Sequence, residues 1–152
     1  MTTNTKSTRS LERFLAGIGT AVCLIVSVRI WQVLNDQQSM WPLPSLYLLE
    51  MIAMSFVGLF GILQGDAARA ALVGALPWIT IGVLLAFVVL GAWSIGFLFL
   101  PVALIFLIVA ILADRRRGRN LVVDVGVGIA AALTQVALML AVIRLLYPAA
   151  VL

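Results

Sequence analysis

Residues 71–113 read ALVGALPWITIGVLLAFVVLGAWSIGFLFLPVALIFLIVAILA, without a single charged side chain. A transmembrane helix needs ~20 apolar residues, so this run is too long for one span and suits two. The natural break is GAWSIG at 91–96, because two glycines bracket an interfacial tryptophan and a serine able to cap a helix. The run therefore predicts helices at about 71–91 and 95–113. Pro101 would kink the second of them, whereas a helix that began at Pro101 would be too short to span.

The whole chain shares this apolar character. Of its 152 residues, 64% are hydrophobic and only 11% are charged, against ~25% charged in soluble domains. A soluble fold of this size could not bury so much apolar surface, and the apolar runs are too continuous for a membrane β-barrel. The composition predicts an all-α polytopic membrane protein.

Three further apolar runs complete a prediction of five transmembrane helices. The predicted spans are 14–34, 46–64, 71–91, 95–113 and 121–147. Residues 1–11 are polar and rich in Thr and Ser, and are predicted to form a disordered cytoplasmic tail. Residues 12–152 then form a single transmembrane domain.

The segment ADRRRGRN, residues 113–120, contains four arginines between the fourth and fifth spans. With five spans, every cation of the loops and tails falls on one side of the membrane; these are Lys6, Arg9, Arg13, Arg69, Arg115, Arg116, Arg117 and Arg119. Such a bias places positive loops in the cytoplasm. It predicts a multi-pass protein of the cytoplasmic (inner) membrane, with its N-terminus in the cytoplasm and its C-terminus outside. The four arginines 115–119 are predicted to anchor this topology and to contact anionic lipid headgroups, and no nucleic-acid partner is expected.

Charged residues inside the spans are candidates for function, because a charge in the bilayer is costly. Arg29 and Glu50 each lie about five residues from the same predicted boundary, hence at a similar depth of about 7 Å. They form a candidate intramembrane ion pair that Arg144 could join. Three interpretations remain open: a self-neutralising structural pair, a proton- or cation-coupled carboxylate, or a contact between subunits.

Asp124 and Gln135 are eleven residues apart and so lie on one face of the fifth helix. Asp124 is predicted to be a first-turn acid screened by Arg119. Gln135 lies at mid-bilayer, with Gly128 and Ala131 between the two. The pattern predicts a helix-packing polar face with one interhelical hydrogen bond, rather than a permeation path.

The residue inventory limits the possible chemistry. The chain has no histidine and one cysteine, which excludes histidine-based triads, histidine-ligated haem and an internal disulfide. No cofactor, metal site or catalytic residue is predicted. The favoured function is a small accessory subunit that packs with or stabilises a larger membrane complex, with other subunits or itself as partners. The alternative is a homo-oligomeric transporter or channel using Glu50, and a lipid-processing enzyme is a third hypothesis.

Overall fold

A computed structural model describes residues 5–35, 43–64, 71–91 and 95–146. In these ranges the chain is helical, without strands. The elements are α1 (Thr5–Asn35), α2 (Leu43–Leu63), α3 (Ala71–Leu90), a 3-10 turn (Gly96–Phe99), α4 (Leu100–Arg117) and α5 (Leu121–Leu146). Each of the five α-helices is long and apolar enough to cross a membrane, when α4 is taken together with its preceding turn. The prediction of five long apolar helices is thus confirmed.

Helices α1 to α4 form a four-helix bundle, and α5 packs outside it. Each bundle helix contacts two neighbours, in the cyclic order α1, α2, α3, α4, while α5 lies mainly against α3. The membrane-crossing window of α3 is therefore 67% buried, whereas that of α5 is 11% buried. Helix α5 is therefore the least buried of the five helices.

One end of the bundle holds the start of α1, α3 and α5 and the end of α2 and α4; it is called the arginine end here. The other end, near Tyr47, is the distal end. Helix α5 leaves the arginine end beside α4, where Leu121 lines a groove with Leu107. It reaches the distal end beside α2, where Val142 lines a groove with Leu46. Helix α5 thus crosses α3 obliquely.

Small residues allow α5 to lie directly on α3. A Cβ added to Gly82 would overlap the backbone carbonyl oxygen of Gly128, and it would also lie 3.1 Å from the Cβ of Ala131. In lipid no hydrophobic force drives helices together, so close backbone approach supplies the packing contacts. Gly82 and Gly128 therefore fix the crossing point of the two helices.

Side-chain hydrogen bonds to backbone carbonyls join the helices of the bundle. Thr20 donates to the carbonyl of Ser55 at 3.3 Å, and Cys23 lies with its sulfur 3.5 Å from the carbonyl of Met51. These contacts set which face of α1 meets α2, because Thr20 and Cys23 lie on one stripe of the helix.

Helix α1 begins earlier than predicted. It starts at Thr5, so residues 5–11 are helical, although the sequence suggested a disordered tail; residues 1–4 lie outside the described ranges. The physical reason is Glu12, which is fully buried and paired with Arg116 of α4. This contact stabilises the first turns of α1 against the bundle.

Helix α4 also differs from the prediction at both ends. A 3-10 turn covers Gly96–Phe99, and the α-helix begins at Leu100 with Pro101 in its first turn. Proline fits there because the first N–H groups of a helix have no intrahelical partner, so no interior kink arises. The helix continues to Arg117, where Gly118 ends it in a left-handed conformation at φ 64°.

The predicted hinge at 91–96 is described only at its margins, since residues 92–94 lie outside the described ranges. The N–H of Gly96 donates to the carbonyl of Gly91 at 2.8 Å. A Cβ added to Gly96 would lie 2.7 Å from the Cα of Gly91. Gly91 and Gly96 approach each other so closely that neither position has room for a side chain.

Candidate functional site

The arginine end contains a buried ion pair between α1 and α4. The Nε of Arg116 donates to both carboxylate oxygens of Glu12, at 3.0 and 3.1 Å. The side chain of Glu12 is 0% exposed and that of Arg116 is 10% exposed. The sequence predicts a topology and lipid role for Arg116, and the structure shows in addition that its guanidinium lies against an internal carboxylate.

A second ion pair ties the α4–α5 turn to α5. Arg119 donates through Nε to Oδ2 of Asp124 at 2.9 Å and through Nη2 to Oδ1. This hydrogen-bonded carboxylate raises the pKa of the Arg119 guanidinium. The side chain of Arg119 lies over Gly74 of α3, where an added Cβ would overlap Nη1. The pair therefore links the turn, α5 and α3.

Asp114 joins α4 to α3 beside that pair. Its Oδ2 accepts a hydrogen bond from the indole Nε1 of Trp78 at 2.6 Å. The backbone N–H of Arg119 also donates to the carbonyl of Asp114 at 3.2 Å, and Asp114 and Asp124 are 2% and 1% exposed. Trp78, Asp114, Arg119 and Asp124 thus form a polar cluster where α3, α4 and α5 meet. Within the described ranges, no group of three or more His, Cys, Asp or Glu could hold a metal ion.

The remaining cations near α2 cap its C-terminal end. Arg117 donates to the carbonyl of Gly61 at 3.3 Å, and Arg13 donates to that of Leu63 at 3.4 Å. The last carbonyls of a helix have no intrahelical partner, and the helix dipole favours cations there. Arg115 is exposed. Of the four arginines predicted to contact lipid, Arg115 is the exposed one, whereas the other three are half-buried.

The distal end holds the second polar site, a groove between α2 and α5. Its volume is about 250 Å³. Glu50, which is half-buried, and Gln135, which is 6% exposed, both line this groove. Gln135, on the predicted polar face of α5, thus lines the groove together with Glu50 of α2, and the interhelical hydrogen bond of that face stays a prediction. The groove is lined by Leu46, Tyr47, Leu49, Glu50, Gln135, Leu138, Met139 and Val142.

The structure does not bring Arg29 and Glu50 together. Both Arg29 and Arg144 are exposed, and neither forms an ion pair with Glu50 in the part of the chain that is described. The two groups share a depth, but depth does not fix the rotation of a helix about its axis. Ser27 is buried in the bundle, and Arg29, two residues on, points to the opposite side of α1.

Glu50 is turned toward α5 by the same packing. Its neighbour Met51 is fully buried and supplies the carbonyl that contacts Cys23 of α1. Successive helical residues point about 100° apart, so Glu50 lies beside that contact and not within it. Glu50 therefore faces the groove that Gln135 also lines, and Arg29 lies exposed on the other side of α1.

The fold and these two sites define a class, an all-helical chain with five helices suited to a multi-pass membrane protein. No protein-family model, curated protein or solved structure matches the chain.

Proposed function

We propose that the chain is a small accessory subunit that packs against a larger membrane protein through α5. The observation that carries this proposal is the outward face of α5. Along it, at helical spacing, lie the exposed residues Gly126, Ala130, Leu133, Ala137, Ala141 and Arg144. Its four small members are called the small-residue face here.

Small residues support docking because they let another helix approach closely. The buried side of α5 already uses this principle, with Gly128 on Gly82. On the outward side nothing lies within 4 Å of a Cβ added to Gly126. A partner helix would therefore find the same kind of surface on α5 that α3 occupies on its other side.

Arg144 indicates which kind of residue the partner carries at this position. It ends the small-residue face and is exposed within an apolar helix. A cation on a membrane helix is stabilised by a carboxylate or by the interface. The partner is therefore proposed to carry an acidic residue facing Arg144.

Co-purification from native membranes tests the proposal. In mild detergent the chain is expected to bring down a larger membrane protein in stoichiometric amount. Ala137→Phe should reduce that yield about tenfold or more, because a bulky ring prevents close helix approach. The matched control is Ala21→Phe on α1, also exposed, which should leave the yield unchanged. A pure homo-oligomer, or equal losses for both variants, would contradict the proposal; a pure homo-oligomer would favour the transporter alternative.

We also propose that the arginine end faces the cytoplasm of a bacterial cell, with the distal end outside. The support is the cation bias of the loops, although Arg69 lies outside the described ranges. A cysteine introduced at Arg115, in a Cys23→Ser background, should react with an impermeant maleimide only after the cells are opened. Reaction in intact cells would show that the arginine end faces outward, which would contradict the proposed orientation.

A further inference from the structure

We infer that the groove between α2 and α5 binds a lipophilic ammonium compound, with its cationic nitrogen on Glu50 and its apolar body along the groove. The site lies on the side of α5 opposite to the small-residue face, since Gln135 is buried there while Ala137 is exposed. It is therefore independent of the proposed docking.

The first reason is that Glu50 has a polar neighbour but no internal cation. The polar neighbour is Gln135, which lines the same groove. Arg29 and Arg144, the two cations of the same half of the molecule, are exposed and form no ion pair with it in the described ranges. A carboxyl group away from water takes up a proton unless a cation accompanies it, so a cationic ligand stabilises its ionised form. The groove thus supplies the negative partner for a positive ligand.

The second reason is that the polar surface of the groove is small and concentrated. The hydroxyl of Tyr47 donates to the carbonyl of Phe87 at 3.1 Å, on the bundle side. Glu50 and Gln135 are then the polar side chains available to a ligand. Two such side chains are too few to replace the six or more oxygen ligands of a bare Ca²⁺, whereas one carboxylate suits an ammonium group.

The third reason is the shape and chemistry of the walls. Aliphatic side chains line both sides; they are Leu46, Leu49, Leu138, Met139 and Val142. A pocket of about 250 Å³ holds a ligand of modest size. Leu46, Leu49 and Leu138 are also largely exposed, so a longer alkyl tail can extend outward from the groove into lipid. Tyr47 adds an aromatic surface, which also attracts cations.

Binding to the full chain in nanodiscs of zwitterionic lipid tests the inference. The probe is decyltrimethylammonium, and decanol is its neutral counterpart of equal chain length. Equilibrium dialysis, corrected with empty nanodiscs, should show saturable binding of the cation at one site per chain and no saturable binding of decanol. Glu50→Gln should weaken cation binding by at least about tenfold, because it removes a charge-assisted contact.

Two further variants separate loss of binding from loss of folding. Leu138→Trp fills the groove while leaving Glu50 in place, and it should also weaken binding about tenfold or more. Leu133→Trp places the same ring on the outward side of α5 and should bind as the unaltered chain does. Equal saturable binding of cation and alcohol, or undiminished cation binding in folded Glu50→Gln or Leu138→Trp protein, would overturn the inference.

Discussion

Replacing Arg116 by glutamine is expected to lower the free energy of unfolding by about 3–5 kcal/mol. The substitution leaves the carboxylate of Glu12 buried, at 0% exposure, without the guanidinium that neutralises it. Removing one member of a buried ion pair is costly because the other remains desolvated and unpaired. The measurement is the unfolding transition of the purified protein in mild detergent, followed by circular dichroism as denaturant is added.

A double variant distinguishes pairing from general damage. Glu12→Gln combined with Arg116→Gln removes both charges and leaves two amides in the same space. It should recover at least about half of the lost stability, because no uncompensated charge remains. If the double variant is less stable than Arg116→Gln alone, the two side chains do not stabilise each other.

The second large effect is expected at the crossing of α3 and α5. Gly82→Ala should lower the free energy of unfolding by about 1–3 kcal/mol, since the added Cβ would overlap the carbonyl oxygen of Gly128. The two backbones must separate to accommodate it. The change is measured by the same denaturant titration.

Gly17→Ala is the matched control for that prediction. Gly17 also lies within a helix, but nothing lies within 4 Å of an added Cβ. Alanine is favoured over glycine in helices, so this variant should be neutral or more stable by up to about 1 kcal/mol. Similar losses for Gly17→Ala and Gly82→Ala would mean that helix crossing is not the cause.

The five helices could be predicted from the sequence because span length depends on local composition. An uncharged run such as 71–113 must be divided at GAWSIG whatever surrounds it. The end of α4 was harder to place. Arg116 and Arg117 suggested a solvated loop, yet both lie in the last helical turn, where one pairs with Glu12 and the other caps α2.

Which charged residues pair could not be predicted from their depth along the helices alone. Arg29 and Glu50 were matched by their distance from a helix end, but small and hydroxyl residues such as Thr20 rotate α1 so that Arg29 faces outward. That rotation depends on tertiary packing. For the same reason the hydrogen bond of Trp78 to Asp114 was missed.

A signal for the arginine-end contacts was nevertheless present. Glu12, Asp114 and Asp124 each lie within five residues of an arginine assigned to the same side of the membrane. These three acids, at the end that carries the cations, indicate internal neutralisation. The structure assigns two of them to ion pairs and the third to Trp78.

Photo-crosslinking in native membranes tests the central claim most directly. A photoreactive amino acid placed at Ala137, on the small-residue face of α5, should form an adduct with a larger membrane protein, while the same group at Ala21 on α1 should not. Adducts with lipid alone from Ala137, or the same protein captured equally from both positions, would contradict a docking role for α5.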